Sequence, residues 1–250
     1  MSNEICKSTK EIWPKSSLIG LIFCGGLGLR AREVTGDRLP KQLLPTSYTT
    51  TILDSPLSHM RRAGIKEIWV LVSEQTHDPI FNHYRDDSFG IRYFTHNIPQ
   101  SGVAEVLKLF NDQYPIRQPF IKADGDEVNQ GFNLGNMLEF HNNTGAQITY
   151  LVTQQSQGGK YLVWISPTDN RAMALDSVKE KSDLLRLKAN QFFLTGLFIM
   201  NPVVLPTLLN SKNTQDFLRK AIAGGLLYGY ISGGQSVNVN SPSDYRLLIR

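Results

Sequence analysis

The 250-residue sequence has little cysteine and no long apolar run, and each absence excludes a class of protein. Its two cysteines, Cys6 and Cys24, are too few for a disulfide framework, and a buried, reduced Cys24 suits the cytoplasm. No apolar stretch approaches the roughly 20 residues that a membrane-spanning helix needs. The polar start of the chain also lacks the apolar core of a secretory signal. We therefore expect a cytoplasmic protein with no membrane partner.

An excess of one charge is also lacking. The net charge is only +4, and the basic residues are scattered along the chain. Basic runs such as Arg61-Arg62 are short and have no interleaved aromatic residues, which argues against a nucleic-acid partner. The five histidines lack the spacing of a zinc site. An acidic small-molecule substrate accounts better for the modest excess of cations.

What the sequence does contain is a regular alternation of strand and helix patterns. A polar tail, 1–16, precedes one domain, 17–250, because no linker or composition change divides the rest of the chain. Apolar runs predict strands at 17–24, 67–72, 90–94, 119–123, 148–152, 161–165, 192–200 and 227–231. Helical spacing predicts helices at 52–63, 102–110, 133–141, 202–209 and 214–223. This order indicates an α/β fold with a Rossmann-like, doubly wound mixed sheet and helices on both faces, an α/β/α sandwich.

Glycines follow the first predicted strand in a pattern that allows two interpretations. Residues 26–31 fit the G-x-G-x-x-[GA] pattern of dinucleotide-binding proteins. That site needs a helix directly after the glycines and an acidic residue about 20 residues later. Gly36 and Pro40 interrupt any long helix here, and the next strand ends only at Val72. The spacing therefore argues against a dinucleotide site.

The second interpretation is a glycine turn that holds a triphosphate. Gly25, Gly26 and Gly28 would let backbone N–H groups approach phosphate oxygens, which a Cβ would block. Arg30 can form paired hydrogen bonds to phosphate, and Lys41 adds a compact positive charge. A plain strand-to-loop turn and a solvated loop lysine remain the alternatives.

These residues resemble a known family. The segment "GGLGLR…PKQLLP" is similar to the G-G-x-G-[TS]-R…K-Q-L-L-P signature of the sugar-1-phosphate nucleotidyltransferases, and within them to the thymidylyltransferases. Further segments resemble the family in the same order along the chain. They are "AGIKEIWVLVS" (63–73), "SGVAEV" (101–106), "DGDEV" (124–128), "NTGAQITYLV" (143–152), "KEK" (179–181) and "LTGLFIMNPVVL" (194–205).

The resemblance implies a reaction and its partners. An oxygen of a sugar 1-phosphate would attack the α-phosphorus of a nucleoside triphosphate (NTP) and release pyrophosphate, with Mg²⁺ as cofactor. Such transfers depend mainly on positioning and charge neutralisation, so Arg30 and Lys41 become the candidate catalytic residues. The base is expected to be a pyrimidine, thymidine first and then cytidine or uridine. The resemblance is also compatible with a homo-oligomer.

Two positions are implied as metal ligands. Asp126 follows a strand and a glycine, so it is expected at the carboxyl edge of the sheet, although Asp-Gly-Asp is also a common turn sequence. Asn238 lies in "SVNVNSPSDY", where the family has W-x-D-[IT]-G-T-P-x-D-Y and thus a second aspartate. An asparagine offers an oxygen but no charge. Weaker Mg²⁺ binding is expected unless Asp124 or Glu127 compensates.

The remaining implied contacts are with the base and the sugar. Asn97 would read the edge of the base, and Gly102 would let the base lie against the backbone. Four positions are implied for the sugar: Gly145, Glu180, Lys181 and Gly196. The alternative for Glu180 and Lys181 is a solvated, charged turn. The alternative for Gly145 and Gly196 is a packing role.

The departure at Asn238 keeps two other functions open. One is a module that binds nucleotide or sugar phosphate and has lost turnover. The other is a transferase whose acceptor is a heptose, pentose or polyol phosphate rather than a hexose phosphate.

Overall fold

The computed structural model describes residues 17–26, 28–35, 39–85, 90–98, 102–178 and 187–249. Within these ranges one mixed sheet contains all the labelled strands. The strands are β1 (Ile19–Phe23), β2 (Glu67–Ser73), β3 (Arg92–His96), β4 (Phe120–Asp124), β5 (Glu127–Asn129), β6 (Ile148–Gln157), β7 (Tyr161–Ile165), β8 (Ala172–Ser177), β9 (Gln191–Met200) and β10 (Leu227–Asn238). The α-helices are α1 (Arg32–Thr35), α2 (Asp54–Arg62), α3 (Glu74–Tyr84), α4 (Val103–Gln113), α5 (Leu134–Thr144), α6 (Leu205–Leu209), α7 (Thr214–Ala223) and α8 (Pro242–Leu248).

The strand order in the sheet is β3-β2-β1-β4-β9-β6-β10-β5. Strands β3, β2, β1 and β4 are mutually parallel, and β6 and β10 form a second parallel pair. Strand β9 lies antiparallel to both β4 and β6, so it joins the two parallel groups into one mixed sheet. The β7–β8 hairpin pairs with β9.

Helices cover both faces of the sheet. Because successive strand residues point to opposite faces, Leu21 and Ile22 of β1 belong to two separate apolar clusters. Helices α4, α6 and α7 contribute to the first cluster, and α2, α3 and α5 to the second. This layering confirms the predicted α/β/α sandwich. None of the described helices has the length and apolar character needed to cross a bilayer.

The strand register brings distant segments to one edge of the sheet. Phe23 at the end of β1 lies opposite Leu71 of β2 and Asp124 of β4. The glycine turn after β1 and the acidic segment 124–127 after β4 therefore leave the sheet side by side. On the neighbouring group of strands, β10 places Asn238 opposite Glu127 of β5.

Five labelled elements were not predicted: α1, α3, β5, β8 and α8. Strand β5 has only three residues and depends on antiparallel pairing with β10, so local sequence makes it look like a turn. Strand β8 is mostly exposed and therefore lacks an apolar pattern. Helix α3 does carry a local signal, because Ser73 is its N-cap and the hydroxyl of Thr76 accepts a hydrogen bond from the backbone N–H of Ser73.

Candidate active site

The turn after β1 passes close to the end of β3 and then to Lys41. A Cβ on Gly25 would lie 2.6 Å from Nε2 of His96, so this approach requires glycine. Gly28 has a φ of 62°, which also favours glycine, and a Cβ there would lie 3.4 Å from the stem of Lys41. Gly26 is exposed and faces open space. The turn thus has an accessible backbone on one side and a lysine on the other.

Lys41 joins this turn to the acidic segment after β4. Its side chain is 8% exposed, and its Nζ forms a salt bridge with Oδ2 of Asp126. The same Nζ donates a hydrogen bond to the carbonyl oxygen of Val239 (3.0 Å). The fold therefore brings the predicted cation and the predicted metal-binding carboxylate into direct contact.

A second lysine–aspartate pair lies in the site, and its cation, Lys122, was not among the predicted residues. Nζ of Lys122 on β4 lies 2.5 Å from Oδ1 of Asp124 and donates to the Gly196 carbonyl oxygen at 3.1 Å. The lysine side chain is 5% exposed. Its Nζ also lies over the rings of Phe23 and Phe198, at 5.5 and 5.8 Å from the ring centroids. A lysine inside an otherwise apolar strand was the available signal.

Glu127 is the third carboxylate of the site and is almost completely buried. One oxygen accepts a hydrogen bond from the hydroxyl of Ser236 and the other from the N–H of Gly196, both at 2.5 Å. Burial, and then the nearby charge of Asp124, raises the pKa of Glu127 to about 7. Burial also raises the pKa of Asp124, against the opposing effect of Lys122.

Gly196 is the point where these two carboxylates meet the backbone of β9. A Cβ on Gly196 would overlap the carboxylates of both Asp124 and Glu127. Only glycine permits this approach, so the predicted presence of Gly196 at the site has a specific steric reason.

A chain of hydrogen bonds links the glycine turn to β10. Nη2 of Arg30 donates to Oδ1 of Asn240 at 3.0 Å. Nδ2 of Asn240 then donates to Oδ1 of Asn238 at 2.5 Å. The backbone N–H of Asn240 is held by Asp244 at the start of α8. Asn240 was not among the predicted residues, because no local feature distinguishes it from other loop asparagines.

A cavity of about 290 Å³ opens beside these groups. Its polar lining includes the acidic residues Asp124, Asp126 and Glu127, together with Asn238 and Asn240. The apolar part of its lining consists of Val103, Tyr150, Tyr161, Leu194, Phe198, Leu208, Phe217 and Leu218. Such a mixture can hold a ligand that combines polar groups with a flat or apolar surface.

Of the two predicted Mg²⁺ ligands, Asp126 has the better chemistry and Asn238 the poorer. Mg²⁺ commonly binds one or two carboxylates and completes its shell with phosphate oxygens and water. Asp126 offers Oδ1, because only its Oδ2 contacts Lys41. Asn238 is neutral, and its oxygen already accepts a hydrogen bond from Asn240. Among the residues that the structure describes, no three His, Cys, Asp or Glu side chains lie together as a metal-binding group.

Three other predicted residues, Asn97, Gly102 and Gly145, form no hydrogen bond with the acidic residues of the site in the described part of the chain. Asn97 directly follows β3, whose last residue, His96, lies against Gly25. Gly102 is the N-cap of α4. Gly145 is not brought to the site. It ends α5 with a φ of 65°, before the start of β6, whereas the acidic residues follow the end of the parallel strand β4. A helix-capping role explains this glycine.

Two predicted sugar contacts cannot be placed. Glu180 and Lys181 lie outside the described residues. Cys24, by contrast, is fully buried as predicted, and this burial raises the pKa of its thiol. Such a thiol is a packing group rather than a nucleophile.

Comparison with known proteins shows the family. The model of the nucleotidyl transferase family matches residues 19–232, so the chain belongs to that family. Mannose-1-phosphate guanylyltransferase 1 of Arabidopsis thaliana is 24% identical over 233 residues, which cover 90% of this chain and 62% of the plant protein. The D-glycero-alpha-D-manno-heptose 1-phosphate guanylyltransferase of Aneurinibacillus thermoaerophilus is 25% identical over 231 residues, which cover 90% of this chain and 94% of that enzyme.

Solved structures support the fold. A Bacillus anthracis protein assigned as a glucose-1-phosphate thymidylyltransferase superposes with a TM-score of 0.75 at 14% identity, over 93% of this chain and 94% of that one. At this identity the match concerns the fold alone. The chain spans about three fifths of the plant relative, 62%, so likeness to that protein does not establish its whole activity here.

Proposed function

We propose that this protein transfers a nucleotidyl group from an NTP to a sugar 1-phosphate. An oxygen of the sugar 1-phosphate attacks the α-phosphorus. The bond from that phosphorus to the β-phosphate oxygen then breaks, and pyrophosphate leaves with the electron pair. Family membership supports this reaction, and both curated relatives are named as sugar-1-phosphate guanylyltransferases. The observation that carries the proposal is the contact of Lys41 with Asp126 beside the glycine turn.

The residues of the site have complementary roles in this reaction. Backbone N–H groups of the glycine turn bind phosphate oxygens, and Arg30 stabilises the charge that develops on the leaving pyrophosphate. Lys41 exchanges its contact with Asp126 for a phosphate of the substrates. Asp126 is then available as the carboxylate ligand of Mg²⁺, which neutralises phosphate charge when bound. The 290 Å³ cavity holds the sugar 1-phosphate and the adjoining phosphates of the nucleotide, with Gly196 in its wall.

Two observations bear on which base the nucleotide carries, and they point to different bases. The side-chain amide of Asn97 can donate and accept hydrogen bonds together, which suits the edge of a pyrimidine. The named activities of the curated relatives favour guanine instead. We propose a pyrimidine nucleotide, thymidine first, and the assay below compares it directly with GTP.

The test is pyrophosphate release with each NTP, a panel of sugar 1-phosphates and Mg²⁺. We expect release with at least one pair, loss of activity in Asp126→Ala, and a decrease of about 10²- to 10³-fold in Lys41→Ala. Asp169→Ala and Lys220→Ala are matched controls, because these exposed residues form surface ion pairs elsewhere. Circular dichroism checks that each variant is folded. Release that survives in Asp126→Ala would contradict the proposal.

The neutral Asn238 favours a second candidate, a binding module without turnover. Its oxygen is already engaged by Asn240, so this position adds no charge for a metal ion. Nucleotide binding in a thermal-shift assay, without pyrophosphate release for any pair, would support that alternative. Activity only with heptose, pentose or polyol phosphates would instead identify a transferase with a different acceptor.

A further inference from the structure

We propose that Asn238 presents a hydrogen-bond donor to the polyphosphate of the nucleotide, and that Asn240 is the positioning residue that fixes this orientation. The sequence had implied the opposite role for Asn238, an oxygen ligand to a metal ion. The inference rests on the proposed function, since it requires a polyphosphate beside the glycine turn.

The orientation begins at Arg30. A guanidinium group has only donors, so the atom of Asn240 that lies 3.0 Å from Nη2 must be the amide oxygen, Oδ1. The other end of the Asn240 amide is therefore Nδ2, which is a donor. Arg30 thus determines which way the Asn240 amide faces.

Asn240 in turn determines the orientation of Asn238. Its Nδ2 lies 2.5 Å from a side-chain atom of Asn238, and two N–H₂ groups cannot face each other at that distance. The contacted atom must be the oxygen of Asn238. Its own Nδ2 therefore points away from Asn240.

The free end of Asn238 is placed where a ligand can use it. Asn238 lines the 290 Å³ cavity, and within the described part of the chain no protein group accepts a hydrogen bond from its Nδ2. The next residue, Val239, donates its backbone N–H to the carbonyl oxygen of Asp126 and accepts a hydrogen bond from Lys41. Asp126 lines the same cavity as Asn238, so the amide shares that wall with a residue that the proposed function places at the phosphates.

The chemistry of this end of β10 suits an anion better than a cation. An amide N–H₂ group donates to phosphate oxygens, whereas a metal ion needs an available oxygen. A carboxylate at position 238 would also add negative charge next to Asp126 and would repel the nucleotide phosphates. The amide avoids that repulsion.

The test measures anion and metal binding separately. Inorganic tripolyphosphate is titrated into each variant by calorimetry without divalent metal, and Mn²⁺ binding is followed by electron paramagnetic resonance without nucleotide. Asn240→Asp keeps an acceptor for Arg30 but removes the donor to Asn238, and it should weaken tripolyphosphate binding about tenfold. Asn238→Ala should weaken tripolyphosphate binding similarly and leave Mn²⁺ binding unchanged. Asn136→Ala, on the exposed face of α5, is the control and should change neither.

Asn238→Ala separates the two roles, and Asn238→Asp measures the effect of a negative charge at this position. We expect weaker tripolyphosphate binding and tighter Mn²⁺ binding in this variant, and a nucleotide KM that rises more than kcat falls. Weaker Mn²⁺ binding in Asn238→Ala with unchanged tripolyphosphate binding would overturn the inference, as would absence of tripolyphosphate binding in the unmodified protein. Binding changes as expected, with no pyrophosphate release from any nucleotide, would overturn the proposed transfer and leave the donor role of Asn238 standing.

Discussion

Replacement of Lys122 with methionine removes the cation that compensates Asp124 in the interior of the site. The lysine side chain is 5% exposed and the aspartate 26%, so water replaces little of the lost interaction. Removing one partner of a buried ion pair typically costs about 3–5 kcal/mol of folding free energy, because the other charge is left uncompensated. For a protein of this size, each kcal/mol lowers Tm by about 2–4 °C, so we expect a decrease of roughly 6–20 °C.

The folding free energy lost in Lys122→Met should depend on pH. Burial already raises the pKa of Asp124 above its ordinary value of 3.8, and removal of Lys122 raises it further. An acid with a raised pKa in the folded state costs stability above its unfolded pKa, and the full cost is reached above the folded pKa. Lys122→Met should therefore lose less stability at pH 5 than at pH 8, relative to the unmodified protein at each pH.

Urea and thermal unfolding at both pH values measure this effect. The double variant Lys122→Met/Asp124→Asn should recover most of the stability at pH 8, because the uncompensated charge is gone. A single variant that stays within about 1 kcal/mol of the unmodified protein at pH 8 would refute the reasoning, since surface ion pairs have that magnitude. So would a double variant no more stable than the single one.

Two further predictions concern packing and acid stability. Gly196→Ala should lower stability by about 1–3 kcal/mol and reduce kcat/KM, because its Cβ overlaps the carboxylates of Asp124 and Glu127, whereas Gly26→Ala, with open space around it, should remain stable. Unfolding by urea checks this, and equal stability of the two variants would contradict it. Burial lowers the pKa of His141, so the contribution of this residue to stability should be constant above pH 6.5 and decline below that pH as the unfolded chain takes up the proton. His141→Gln should show a shallower decline in the same pH series, and an identical slope would refute this.

Local patterns were sufficient for much of the fold. The buried strands β1, β2, β4 and β9 are short apolar runs bounded by turns, so their positions follow from sequence within a few residues. Strand β10 was predicted only for its apolar first half. Its polar second half is held by pairing with β6 and β5, which no local pattern reveals.

The sequence by itself determined the elements whose physical cause is local. Glycines after a buried strand indicate a turn with an accessible backbone, and Asp126 after a strand and a glycine belongs at the carboxyl edge of a sheet. Tertiary structure alone decided which groups meet there. Arg30 and Asn240 are 210 residues apart in sequence, and Lys122 acquires its importance only because the fold buries it and brings Gly196 of β9 against it. Burial, desolvation and hydrogen-bond direction are properties of the packed molecule, so they arise only when distant strands are assembled.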